Sequence, residues 1–262
     1  MFLKNIGKGF FEVSHKRIEV PNQSVYFNHI HNHCELLLFL SGDAHYNIDG
    51  KEFSPEPYDL IFIPAATYHY LMPTSDSPYE NYVIGFDPDI ISGEHYKKLF
   101  SAPLMINIKD DSELVGFFTR LDLYNDTYSE GDFDLCAAAL IRELVTYCSY
   151  AKDKLAGAHS GENTLIDKII NLINKNIEEP LDAERISEQL HLSVSYVQNV
   201  FSQRMHIGLK KYITQKKIYA AHADIARGMT PGEACEKYGF GDYSTFYRLY
   251  KKHFASSPRN KK

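Results

Sequence analysis

Residues 242–253, DYSTFYRLYKKH, repeat the apolar spacing of residues 193–204, SVSYVQNVFSQR, at an offset of 49 positions. Each segment follows a shorter helical pattern and a tight break. The second copy has residues that typically start and end helices, with Thr230 predicted as a helix N-cap and Gly239 as the residue that ends a helix. Between the copies, residues 209–227 have the spacing of one long helix. The sequence therefore predicts two helix-turn-helix units joined by a helix.

The second helix of such a unit enters the major groove of DNA, so its outward face should carry polar or basic side chains. Gln198 and Asn199 can each bond bidentately to adenine, and Arg248 suits guanine. Lysines and arginines nearer the end would neutralise phosphates, namely Lys251, Lys252, Arg259, Lys261 and Lys262. The predicted base or backbone contacts are Ser193, Ser195, Tyr196, Gln198, Asn199, Ser202, Tyr243, Ser244, Thr245, Tyr247, Arg248, Lys251 and Lys252.

Charge is distributed unevenly along the chain, although the net charge of -6 alone would disfavour a polyanionic partner. Residues 1–159 carry 12 basic and 23 acidic side chains, a net charge of -11. Residues 160–262 carry 16 basic and 11 acidic side chains, a net charge of +5. From Arg204 onward there are 13 basic and 4 acidic side chains, a net charge of +9. The C-terminal end can therefore lie on phosphates while the N-terminal part cannot.

The stretch GFGDYSTFYRLYKKHFASSP, residues 239–258, resembles the signature of AraC/XylS-type transcriptional regulators. The matching positions are Gly239, Phe240, Asp242, Ser244, Phe246, Arg248, Lys251, Lys252 and Pro258, whereas Ala234 and Pro231 replace the usual large aliphatic residues. The resemblance implies a DNA-binding domain over residues 164–262 that recognises promoter half-sites on double-stranded DNA. We expect an activator, which would contact RNA polymerase, rather than an enzyme.

Up to about Asp87 the chain consists of short β-rich runs separated by turn residues, including SVYFNHIH, ELLLFL, AHYNI and DLIFIP. The pair Asp49-Gly50 is typical of a tight hairpin. These runs predict an antiparallel sandwich or barrel, and the resemblance extends to the cupin-type barrel with which such regulators sense a small molecule.

The predicted fold is thus an α+β two-domain chain: an N-terminal cupin-like antiparallel β-barrel with following helices, and a C-terminal all-α domain with two helix-turn-helix units. We place the barrel at residues 1–110, helices at 111–155 and a linker at 156–163. In the family the helical region often dimerises, which predicts a homodimer.

With a period of two, His29, His31, His33 and Glu35 are predicted to project from one face of a single strand. Polar groups so concentrated need water, a ligand or a metal. We expect a small polar effector, a sugar or oligosaccharide, at His31, His33, Glu35, Phe39, Tyr46 and His69, with no cofactor. Two alternatives stay open at this stage.

The first alternative is a metal bound by His31, His33, Glu35 and His69, because this set resembles the ligands of metal-binding cupin enzymes. It would make the chain a metal-dependent cupin enzyme with an appended nucleic-acid-binding module. The second is an adaptor without an effector. The sequence contains no apolar run of the ~18 residues that span a bilayer and no secretory signal, so we expect a cytoplasmic protein without a membrane partner.

Overall fold

The computed structural model of the 262-residue chain describes residues 1–6, 11–21, 29–101, 104–155 and 164–258. The chain divides into two compact units, Met1–Gly161 and Glu162–Lys262. The predicted linker at 156–163 and the terminal cations Arg259, Lys261 and Lys262 lie outside the described residues. None of the described helices is both long enough and apolar enough to span a membrane.

The first unit contains nine described strands and three described α-helices. The strands are β1 (Phe2–Ile6), β2 (Phe11–Ile18), β3 (Cys34–Ser41), β4 (Ala44–Ile48), β5 (Lys51–Phe53), β6 (Asp59–Ile63), β7 (His69–Pro73), β8 (Tyr79–Phe86) and β9 (Met105–Asn107). The helices are α1 (Gly93–Leu99), α2 (Ser112–Thr127) and α3 (Glu130–Leu155).

The strands form a six-stranded sheet in the order β1-β2-β8-β3-β6-β9 and a three-stranded sheet in the order β5-β4-β7. Every pairing between them is antiparallel. Asp49 and Gly50 both have positive φ, 45° and 82°, as the predicted hairpin between β4 and β5 requires. The cupin-like architecture is confirmed, as two facing sheets rather than one closed barrel over the described residues.

Strand β3 is buried on both faces, and its alternation separates two cores. Leu36 and Leu38 pack in the core that α2 and α3 cover. Leu37 and Phe39 point the other way, into the core between the two sheets, where Tyr46 of β4 also lies. The side chain of Glu35 is on this second face, at the end of the inter-sheet space.

One sequence prediction is wrong here. Strand β3 begins at Cys34, so residues 29–35 are not a single strand; His29 makes only an isolated bridge to His69, and the chain bends at Asn32 and His33. Alternate residues of a strand lie ~6.6 Å apart along it, whereas the His31 and His33 rings stack with centroids 3.6 Å apart. The bend allows that contact.

The second unit contains six described helices. They are α4 (Leu165–Lys175), α5 (Ala183–Leu190), α6 (Val194–Met205), α7 (Leu209–Ala226), α8 (Pro231–Lys237) and α9 (Tyr243–Phe254). The pairs α5–α6 and α8–α9 are the two predicted helix-turn-helix units, and α7 joins them. The N-cap predicted at Thr230 is confirmed, and Asp182, Ser193 and Asp242 cap their helices in the same way, because each of these side chains accepts a backbone N–H of the first turn.

Candidate nucleic-acid interface and ligand site

Helix α6 is held by one apolar face. Val197 and Phe201 are fully buried, and the Phe201 ring packs edge-on against Tyr212 of α7 with centroids 5.1 Å apart. The opposite face is exposed, and it carries Ser195, Tyr196, Gln198, Asn199 and Ser202. The burial pattern therefore presents polar side chains to solvent along the whole second helix of the first unit.

Two candidate residues of the first helix-turn-helix unit also form hydrogen bonds with the backbone of α6. The Ser193 hydroxyl accepts the amide of Tyr196 at 3.3 Å as the helix cap, and the Ser202 hydroxyl donates to the carbonyl of Gln198. Replacing Ser193 would thus remove the helix cap as well as any contact with DNA, whereas the Ser202 hydroxyl is already occupied by the backbone. Gln198 and Asn199 are better probes of base recognition.

Helix α9 is fixed in the same way. Phe246 and Tyr250 are buried, and Phe240 in the preceding turn packs on Phe246 with ring centroids 5.2 Å apart. Six of the seven candidates in this unit are exposed, namely Tyr243, Ser244, Tyr247, Arg248, Lys251 and Lys252, while Thr245 is half-buried. Arg248 lies in the middle of this face, and the two lysines lie in the last turn.

Partly buried polar contacts tie the connecting helix α7 to α8 and to the loop that precedes α5. Asp224 of α7 accepts hydrogen bonds from Lys237 Nζ at 2.8 Å and from the Tyr238 hydroxyl at 2.7 Å. Burial alone would raise the pKa of Asp224, but these two donors outweigh it and the pKa is lowered. Lys217 of α7 is buried, donates to the carbonyl of Glu179 at 2.7 Å, and has its pKa lowered by burial.

A cavity of about 570 Å³ lies within the second unit. Gln198 of α6 and Thr245 of α9 both line it, as do Ile213 and Lys217 of α7. The two second helices thus flank a common cleft on the connecting helix.

Within the unit Met1–Gly161, three of the six candidate effector residues, His31, His33 and His69, lie around the carboxylate of a fourth, Glu35. Glu35 Oε2 lies 3.3 Å from His31 Nε2 and 3.9 Å from His69 Nε2. The His33 ring stacks on that of His31, and His29, which was not among the six, lies with its ring centroid 4.2 Å from that of His69. His31, His33 and Glu35, and likewise His29, His31 and His69, offer donor atoms within 4.8 Å of one another.

Burial dominates the electrostatics of this cluster. It lowers the pKa of His69 to about 4 and, together with the neighbouring His31 imidazole, that of His33 to about 3. Burial opposes ionisation of Glu35, but the close approach of His31 and of the other imidazoles outweighs it and lowers the pKa of Glu35 to about 2. At neutral pH the Glu35 carboxylate is ionised, and His33 and His69 resist protonation.

The other two candidates lie deeper. Phe39 is completely buried between the sheets, with its ring 5.8 Å from that of Tyr79. The Tyr46 hydroxyl is hydrogen-bonded to that of Tyr79, which also accepts from Asn81 Nδ2 at 2.8 Å. Tyr79 and Asn81 were missed from the sequence, although the period of two in YENYVIGF places them on one face of β8.

Two family models match the chain. An AraC-like ligand binding domain matches residues 13–123, and a helix-turn-helix domain matches residues 186–261. The first match covers most of the strands and most of α2, and the second covers both helix-turn-helix units apart from the first turn of α5.

Similar proteins span the chain to different extents. The HTH-type transcriptional activator RhaR of Klebsiella pneumoniae is 23% identical over 254 residues, covering 90% of this chain and 87% of RhaR. The Msm operon regulatory protein of Streptococcus mutans is 23% identical over 53% of this chain, and the match spans about half (49%) of that relative's length. MarA of Escherichia coli, a multiple antibiotic resistance protein, is 29% identical over 94 residues. The crystal structure of ToxT from Vibrio cholerae aligns over 96% of this chain and 97% of its own, with a TM-score of 0.41 and 13% identity.

Proposed function

The chain belongs to the AraC/XylS family of transcriptional regulators, with an AraC-like ligand-binding domain and a DNA-binding helix-turn-helix region, and from that premise we propose how it reads DNA and what controls it. Helices α6 and α9 enter successive major grooves of double-stranded promoter DNA. The observation that carries this is their shared construction, with a capped N-terminus, a buried apolar face and an exposed face of polar and basic side chains.

The contacts divide by chemistry. Gln198 and Asn199 of α6 and Arg248 of α9 read base edges, because their planar side chains can form two hydrogen bonds to one purine. Lys251 and Lys252 hold the phosphates. The remaining candidates fix the register of the helices, and they are Ser193, Ser195, Tyr196, Ser202, Tyr243, Ser244, Thr245 and Tyr247.

Gel retardation with the full chain tests this proposal, using fragments from its own genomic neighbourhood at low ionic strength. The double variant Asn199→Ala/Arg248→Ala should lose sequence-selective retardation because both base-reading helices are impaired. Lys97→Ala is the matched control, since Lys97 is an exposed cation of α1 in the other unit. Equal affinity of wild type and double variant for the retarded fragment would refute the assignment.

The effector site is the cluster around Glu35, with Phe39 and Tyr46 forming its inner wall. The carboxylate and the imidazole nitrogens at its centre accept hydrogen bonds, so the complementary organic molecule is rich in donors. A sugar or an oligosaccharide meets this requirement through its hydroxyl groups. Isothermal titration of sugars into wild type and Glu35→Gln measures the contact; a sugar that binds both equally does not use this site.

We propose a homodimer that activates transcription through RNA polymerase. The similar protein RhaR is described as a transcriptional activator. On the helices at 111–155, Leu123 of α2 and Leu135 of α3 are 59% and 73% exposed, and a second copy would cover such apolar side chains. Analytical ultracentrifugation of wild type, Leu123→Glu and Leu135→Glu tests this proposal. We expect wild type to sediment as a dimer and the two variants as monomers. A wild-type protein that sediments as a monomer would contradict it.

A further inference from the structure

The two central histidines of the Glu35 cluster are oriented by the backbone. His31 Nδ1 is bonded to the carbonyl of His33 at 2.9 Å, and His69 Nδ1 to the carbonyl of Thr67 at 3.0 Å. A carbonyl only accepts, so each Nδ1 carries the proton and donates it. In a neutral imidazole this leaves a bare lone pair on Nε2.

These lone pairs converge on a carboxylate. His31 Nε2 and His69 Nε2 lie 3.3 and 3.9 Å from Glu35 Oε2, and neither has a hydrogen-bond partner among the described residues. His69 is only 4% exposed and Glu35 only 9%. Two buried imidazole nitrogens therefore lie near one buried carboxylate oxygen, an arrangement that is costly unless something positively charged lies between them.

We propose that this cluster binds a divalent transition metal of the zinc type through His31 Nε2, His69 Nε2 and the carboxylate of Glu35. Ligand atoms 2.0–2.2 Å from a tetrahedral zinc lie roughly 3.4 Å from one another, close to the separations of 3.3 and 3.9 Å. Two imidazoles and one carboxylate suit zinc and its neighbours better than magnesium or calcium, which prefer all-oxygen sites.

The surrounding residues supply what such a site needs. The carbonyls of His33 and Thr67 are the outer-shell acceptors that fix the tautomer and orientation of ligating histidines. His29 and His33 offer further donor atoms within 4.8 Å of subsets of the cluster. With three protein ligands a fourth position stays open, as in sites where zinc binds a small molecule. This inference rests on the proposed function in one respect only, namely that a hydroxyl group of the effector would occupy the open fourth position on the metal.

Metal binding is measured on the full chain after treatment with a chelator, by titration with Zn²⁺ and separately with Mg²⁺. We expect one Zn²⁺ per chain and no Mg²⁺ binding at comparable concentration. Glu35→Gln and His69→Ala should each weaken Zn²⁺ binding at least 10-fold. His45→Ala is the matched control and should bind as wild type, because the exposed His45 is bonded to Ser54 and lies outside the cluster.

X-ray absorption at the zinc edge keeps the test decisive if a buried variant fails to fold. Nitrogen and oxygen at about 2.0–2.1 Å support the site, whereas sulfur at about 2.3 Å would place the ion on cysteine and overturn it. Wild-type Zn²⁺ binding no tighter than that of the His69→Ala variant would also overturn the proposal. Gel retardation by the same samples is read separately, so loss of DNA binding with intact Zn²⁺ binding would count against the proposed function alone.

Discussion

His191 and Gly239 occupy the same place in the turns of the two helix-turn-helix units. Both lie in the left-handed region, with φ of 56° and 65°. Each donates its amide back into the preceding helix, His191 to the carbonyl of Glu188 at 3.1 Å and Gly239 to that of Glu236 at 3.0 Å. The second unit uses the residue that adopts this conformation without strain, and the first does not.

Exchanging these residue types should therefore shift stability in opposite directions. His191→Gly is expected to raise the free energy of unfolding by about 0.5–1 kcal/mol, because relief of left-handed strain exceeds the added flexibility of the unfolded chain. Gly239→Ala should lower it by about 1 kcal/mol. The loss is purely conformational, since an added Cβ would meet only Lys217 Nζ, at an ordinary 3.6 Å. Urea unfolding followed by circular dichroism measures both; a destabilised His191→Gly would contradict the comparison.

The sequence predicts those features of the structure that depend on residues close together in the chain, and it does not predict those that depend on distant residues. The caps at Ser193 and Asp242 depend on residues three positions apart, so the sequence reveals them. Contacts such as Asp224 to Lys237 depend on how helices pack, and no local pattern indicates them. The length of the turn is only partly predictable. In the second helix-turn-helix unit, Gly241 adds one residue between the left-handed residue and the next N-cap, and the sequence repeat does not reveal this difference.

The histidine cluster illustrates a correct grouping with a wrong geometry. Alternate spacing placed His31, His33 and Glu35 together, but as neighbours on one strand. They meet because the chain bends before β3, and because Gly85, paired with Glu35 on the adjacent strand, has no side chain where the His33 ring lies. That space is a long-range property of the sheet.

Asp224→Asn is expected to lower the free energy of unfolding by about 1–2 kcal/mol, because a partly buried carboxylate loses its charge while two donors remain directed at it. The side chain is only 18% exposed. Glu236→Gln removes a charge from an exposed position on α8 and is the control, with no measurable change expected. Chemical denaturation at pH 7 compares the three proteins, and equal effects of the two substitutions would show that charge alone matters.

The contribution of Asp224 should also depend on pH. Its pKa in the folded protein lies below the ordinary value of 3.8, because the hydrogen bonds from Lys237 and Tyr238 outweigh burial. Stabilisation by the ionised form is therefore fully present above about pH 3.8 and is lost as the pH falls through the lowered folded value. The stability difference between wild type and Asp224→Asn should shrink over that window. A difference that stays constant down to pH 2 would exclude this linkage.

Arg248 and Lys252 should differ in the kind of DNA binding they support. Arg248→Ala is expected to cost about 1–3 kcal/mol on the preferred site and to relax the base preference at one position. Lys252→Ala should weaken binding to all sequences alike and reduce the slope of affinity against salt concentration by about one. Fluorescence anisotropy on specific and scrambled duplexes at several salt concentrations separates the two. A selective loss from Lys252→Ala would reverse the assignment.

Gly85→Ala tests whether the stack of imidazoles positions the metal or effector ligands. A Cβ at this position would lie 3.1 Å from Cδ2 and 3.3 Å from Nε2 of His33, so the ring must move by a few tenths of an ångström. His31 stacks on His33 with an interplanar angle of 2°, and the displacement would pass to a residue that faces Glu35. We expect Zn²⁺ binding to weaken several-fold while all donor atoms are retained. The double variant Gly85→Ala/His33→Ala should recover part of that loss, because removing the ring removes the clash; if His33 were itself an essential ligand, the double variant would bind more weakly than Gly85→Ala.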